Sequence, residues 1–175
     1  MKTTLLSLAL SLVVAFGMNA QDGPAPSPSN TTKQTVGLTD ITIDYSRPGA
    51  KDRKVFGELV PYGKPWRAGA NAATKVTLST SANIGGAELE AGEYAMLITP
   101  EKGEWTLHFW PYESGRYSTY LESDTAPILG KSSEVKKLHD FQESWLITID
   151  HLRDNSAHLQ FMWENTKAVV PVTVP

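Results

Sequence analysis

The 175-residue chain has no cysteine. That excludes disulfides, thiolate zinc sites, a cysteine nucleophile and a lipid-modified cysteine. An oxidising compartment is permitted by the sequence and not exploited by cross-links. A basic surplus is lacking too: 16 lysines and arginines face 19 acids, for a formal net charge of −3. Nothing in that balance points to nucleic acid or an anionic membrane as a partner. Several reaction signatures are missing. No serine sits in a G-x-S-x-G elbow, no HExxH occurs, and Gly63-Lys64 lacks the glycine frame of a phosphate loop. Beyond the first twenty residues no run is apolar enough to cross a membrane.

What is present starts with those twenty residues. Lys2 supplies a positive start, and Leu5 to Phe16 form an apolar stretch. At about a dozen residues it has the length of a signal-peptide core and is short for a membrane span. Ala20 is the small residue expected at a cut; Met18 fits the other small position poorly. Residues 1–20 read as a secretory signal, with an uncleaved N-terminal anchor as the alternative. The expected location is periplasmic or extracellular, with no membrane span after cleavage. Residues 21–34, opening QDGPAPSPSN, read as a Pro/Ser-rich linker. Residues 35–175 are expected to form one domain, long enough to bury its own core.

The rest has a period of two. Val36, Leu38, Ile41, Ile43 and Tyr45 alternate through ITIDY, so one strand face is expected to be buried. KVTLS from Lys75 to Ser79 alternates likewise. YAMLIT (Tyr94 to Thr99) and WTLHFW (Trp105 to Trp110) flank a short loop with Gly103 and predict a hairpin. Residues 111–131 are polar and turn-rich. Ser133 to Phe141 is open between a short helix, with Val135, Leu138 and Phe141 on one face, and a strand. WLITIDHL and Ala157 to Trp163 pair across Asp154-Asn155-Ser156, and Pro171 places the extended tail at a sheet edge. Short strands at regular spacing predict an all-β fold, an antiparallel β-sandwich of Greek-key or jelly-roll type.

The densest chemistry lies between Tyr45 and Asn71, YSRPGAKDRKVFGELVPYGKPWRAGAN. Arg67 offers a planar fork for carboxylate or phosphate, Trp66 an aromatic plate, and Asn71 both donors and acceptors. With Arg47 and Tyr62 they make a candidate ligand-binding set for a polar molecule carrying an acidic group. The competing reading is a structural latch, with Arg67 on backbone carbonyls or Glu58 and Asn71 in a left-handed turn. Among the histidines, His151 and His158 would sit opposite one another if the hairpin loop has two residues, and would separate if it has three. No metal site and no cofactor is expected. Trp66 and Trp110, beside Pro65 and Pro111, are the tryptophans expected to be exposed.

YSRP, FGELVPYGKPWRAGAN, IGGAEL, EAGEYA and the late Trp163-Glu164 resemble a family of secreted bacterial proteins known only as a domain of unknown function. The resemblance covers nearly all of the chain after the expected signal and implies an extracytoplasmic β-sandwich. It brings no reaction, so it implies no catalytic residue. The motif positions it carries are Tyr45, Ser46, Arg47, Pro48, Arg53, Phe56, Gly57, Pro61, Tyr62, Gly63, Trp66, Arg67, Gly69, Ala70, Asn71, Gly86, Gly92 and Tyr94. The leading expectation is a non-catalytic β-sandwich binding a ligand or partner, with a polar small molecule or carbohydrate as the ligand. Two alternatives stand beside it. One is an envelope or extracellular hydrolase using the Arg67/Asn71 region; the other is a structural or assembly protein of the envelope, presenting an open PVTV edge.

Overall fold

Alternating burial along the strands places two antiparallel sheets face to face in a computed structural model that describes residues 24–175. The expected signal segment and the start of the linker lie outside the described residues. The first sheet has six strands: β1 (Ser29–Val36), β2 (Thr39–Ser46), β3 (Thr74–Leu78), β6 (Gly92–Thr99), β7 (Thr106–Pro111) and β8 (Ile128–Lys131), in that order. The second runs β5 (Ala87–Leu89), β4 (Ala82–Ile84), β10 (Ser156–Thr173), β9 (Glu134–Asp150). One short helix, α1 (Tyr117–Leu121), lies between β7 and β8. The fold is the expected β-sandwich. No helix among the described residues is long and apolar enough to cross a membrane.

Between the sheets the core is aromatic. Trp105, Trp145, Trp163, Phe109 and Phe161 are fully buried. β6 is buried at five successive residues, Tyr94 to Ile98, because both its faces are covered. Its outward Ala95 and Leu97 pack with Ala73, Trp110 and Tyr120 under α1. Trp110 is therefore buried, against expectation, and its Nε1 donates to the Thr125 carbonyl at 2.8 Å.

Two other expectations are corrected, and one open choice is settled. The strand order begins at Ser29, so residues 29–34 are sheet and not linker. That strand is polar; Thr31 and Thr35 donate across to Asp44 and Asp40 at 2.6 Å, and Thr32 donates to the Ile147 carbonyl of the other sheet at 2.8 Å. Leu38 is 91% exposed, since Gly37 (φ 56°) and Leu38 are the two-residue turn between Val36 and Thr39. Residues 134–141 belong to a strand, which resolves the open choice against a helix. The tail meets its expectation in part: β10 is central in its sheet, yet at Val172 and Thr173 the strand ladder runs on one side only, to Ile84 and Asn83 of β4. β9 has already ended opposite Val169, so Pro171 falls where the ladder to β9 no longer needs its N–H.

Candidate functional site

The link from β2 to β3 runs from Arg47 to Ala73, a length that compact domains seldom leave without a role. It stitches the sheets together. Gly49 bridges Ser144 of β9, while Trp66 exchanges two 2.8 Å backbone hydrogen bonds with Ile98 of β6. Arg47 is spent on the backbone: its Nε donates to the Trp145 carbonyl at 2.9 Å and pins the loop to β9. The loop then turns back through Ala68 (φ 54°) and Asn71 (φ 59°). Gly69 between them passes so close to β2 that a Cβ would sit 2.8 Å from the Ser46 carbonyl oxygen. Asn71 spends its amide on this turn, donating to the Ser27 carbonyl at 3.1 Å and to Ser46 Oγ at 3.2 Å.

Inside this clasp is a cavity of about 440 Å³. Trp66, Arg67 and Asn71 line it together, as do Lys51, Arg53 and Trp163. No aspartate or glutamate is in its lining. Arg67 is half-buried; its Nη1 donates to the Asn71 carbonyl at 2.9 Å, and its guanidinium carbon lies 4.8 Å from the Tyr117 ring centroid. Tyr117 in turn donates to the Pro65 carbonyl at 2.7 Å. Burial raises the Tyr117 phenol above the ordinary tyrosine value, with the Arg67 charge opposing. Arg53 holds its Nε and Nη2 on the Ala50 and Gly49 carbonyls at 2.9 and 2.8 Å, so its guanidinium is fixed in place. Trp66 is partly buried and stacks on Trp163 at 5.6 Å, with a T-shaped contact to Trp145 at 4.7 Å. The Trp145 Nε1 beneath has no hydrogen-bond partner among the described residues.

Residues 27–172 match the model of a family described as a protein of unknown function (DUF2911). The chain belongs to that family. No curated protein and no solved structure matches the sequence. The DUF2911 span begins just before β1, inside the expected linker, and takes in the cavity except for Pro26.

The DUF2911 loop divides its motif between two jobs. Trp66 and Arg67 face the cavity; Asn71 borders it and also acts as a latch. Arg47 is a tie. Tyr62 points away: its ring packs on Gly57 (φ 93°) and lines a second cavity with Phe56 and Trp105. Lys51, Arg53 and Trp163 were not among the expected site residues. Arg53 stood in the motif, but nothing in the sequence tells that Trp163 returns to it from the last strand. The latch partner considered for Arg67 is taken elsewhere, since Glu58 pairs with Lys54 at 3.3 Å. No carboxylate or histidine hydrogen-bonds Arg67 among the described residues, so the geometry there offers no acid–base pair.

The histidine hairpin combines both of its expected registers. Arg153 N donates to the Ser156 carbonyl at 2.8 Å, as a two-residue loop requires. His151 then takes a positive φ of 53°, and His158 pairs with Asp150 in register. The two imidazoles still lie 4.9 Å apart. No group of three metal-ligating side chains occurs among the described residues.

His108 of β7 is half-buried. Burial lowers its pKa below the ordinary histidine value, and its Nε2 lies 2.9 Å from Thr99 Oγ1. The unfolded chain therefore binds this proton more readily than the folded one, starting near pH 6.5. The contribution of a neutral His108 is present above that pH and is lost as pH falls toward the folded value. Urea midpoints at pH 7.5 and 5.5 should thus differ more for the wild type than for His108→Gln. An equal pH dependence of the two would refute this.

Proposed function

We propose that this chain binds, without chemistry, a polar ligand carrying an acidic group in the cavity around Trp66 and Arg67, an acidic sugar being the best fit. The observation that supports this reading is the lining itself. Lys51, Arg53 and Arg67 converge there with no acidic side chain among them, in a chain whose formal charge is −3. A guanidinium fork suits a carboxylate, and Trp66, partly buried and lining the cavity, offers aromatic surface to a sugar ring. The hydrolase alternative gains no support at Arg67, which lacks a carboxylate or histidine partner. The assembly alternative has only a short stretch of tail to use, because Val172 and Thr173 already pair with β4 on one side.

Titration calorimetry with galacturonate and with neutral galactose tests the reading. The acid should bind and the neutral sugar should bind at least 10-fold more weakly. Arg67→Ala should lower affinity for the acid by roughly 10- to 100-fold, the range of a charge-assisted hydrogen bond of about 1.5–3 kcal/mol. Trp66→Ala should weaken both sugars. Both variants should still melt cooperatively. Unchanged affinity in folded Arg67→Ala rules the cavity out, and loss of folding in both variants favours the latch instead.

A further inference from the structure

We infer that the ligand is a chain: an acidic oligosaccharide lying across the Arg47–Ala73 loop and filling two cavities at once. This rests on the reading of the Trp66 cavity given above and extends it. The second cavity, about 350 Å³, holds Phe56, Tyr62 and Trp105 and is rimmed by Lys102, Lys136 and Lys137. The same stretch of loop walls both. Phe56 and Tyr62 face the second cavity, whereas Leu59 and Val60 face the first. The floors touch as well, with Phe56 of one edge-on to Trp163 of the other at 6.3 Å. The ridge between them carries Glu58, whose charge is matched by Lys54 at 3.3 Å.

Charge separates these two linings from the rest of the molecule. Lys51, Arg53, Arg67, Lys102, Lys136 and Lys137 are six of the protein's 16 basic residues, and Glu101 is the single one of its 19 acids to join them. Neighbouring acids offset part of this. Glu134 holds Lys136 at 2.8 Å, and Glu143 accepts the Lys51 backbone N–H at 3.0 Å. Lys102 and Lys137 form no ion pair among the described residues. Two cationic cavities on a shared wall fit an anion that repeats along a chain. A uronate oligomer places one carboxylate on each sugar, at modest charge density. Single-stranded nucleic acid fits less well, because it needs a run of exposed aromatic faces for successive bases. Here Trp66 and Tyr62 are each partly buried and lie on opposite sides of the ridge.

Simultaneous occupancy makes the second contact intramolecular, which typically strengthens binding by about 100-fold or more. The experiment is calorimetry of the purified protein with galacturonate and with galacturonate oligomers of increasing length. Affinity should step up by at least about 100-fold at the length that first reaches both cavities. The triple variant Lys102→Gln, Lys136→Gln, Lys137→Gln should lose that step. Its melting curve confirms that the exposed substitutions leave the fold intact. Single-sugar binding without a length step, or a step that survives in the triple variant, overturns the inference and leaves the Trp66 cavity standing. No binding of either sugar form overturns both. Tighter binding of oligothymidylate or polyglutamate than of the uronate oligomer reassigns the surface and overturns the saccharide.

Discussion

Trp163→Ala is expected to lower the unfolding free energy by about 3–5 kcal/mol, the range for truncating a buried aromatic side chain. The indole is 1% exposed and is packed on three sides. Trp66 stacks on it at 5.6 Å, Phe56 meets it edge-on at 6.3 Å, and Trp145 at 5.9 Å. Its Nε1 also donates to the Glu143 carbonyl at 3.0 Å; truncation removes that bond, while the carbonyl keeps the Ala50 N–H at 2.8 Å. Against a typical total of about 5–15 kcal/mol, that is a large share of the stability. Urea unfolding followed by circular dichroism measures it. The cost should exceed that of Trp66→Ala, because Trp66 is only partly buried and its removal leaves less unfilled volume. Equal costs would mean that Trp163 is a wall of the cavity and not a pillar of the core.

Gly85→Ala should be nearly as severe, at about 3 kcal/mol or more. Two independent costs meet there. The backbone is left-handed at φ 62°, which disfavours any Cβ by about 1–2 kcal/mol. A Cβ would also lie 2.7 Å from the Lys131 nitrogen and would overlap the Lys131 oxygen, both rigid backbone atoms, for about 1–3 kcal/mol more. The displaced strand would strain the hydrogen bond from Lys131 N to the Gly85 carbonyl and the one from Gly85 N to the Pro171 carbonyl, both 2.8 Å. Gly86 next door is the control. It has φ 94° but nothing within 4 Å of its would-be Cβ, so Gly86→Ala bears the conformational cost alone. Thermal melts of the two variants should separate clearly. If they coincide, the contact between the β4–β5 turn and β8 is not what fixes Gly85.

These two positions also show what the sequence can and cannot convey. The Gly85-Gly86 pair reads as a turn from composition alone, yet only the folded chain reveals that β8 passes against the first glycine. β2, β3 and the β6–β7 hairpin are legible because one face of each alternates. β1 is not, since its faces are threonine, asparagine and lysine held by cross-strand hydroxyl bonds. α1 and β8 fall in a polar stretch with no period to detect. Trp110 does stand at the strand end that Pro111 signals, but exposure does not follow; its cover comes from the segment after β7, which no local pattern announces. In the site, Trp66, Arg67 and Asn71 do lie together because they are close in sequence within one tight turn. Tyr62 departs because the chain loops fully round between Phe56 and Val60, which bridge each other in parallel. Lys51, Arg53 and Trp163 join only through the tertiary path.

The stacking of Trp66 on Trp163 sets an order of events. Trp66 belongs to the first half of the chain and Trp163 to the last strand, so the cavity has no floor until β10 has docked. A partly folded chain holding only the first sheet would have the motif and no pocket. Ligand should accordingly leave refolding rates nearly unchanged and slow unfolding instead, because its stabilisation arrives after the slow, long-range pairing is complete.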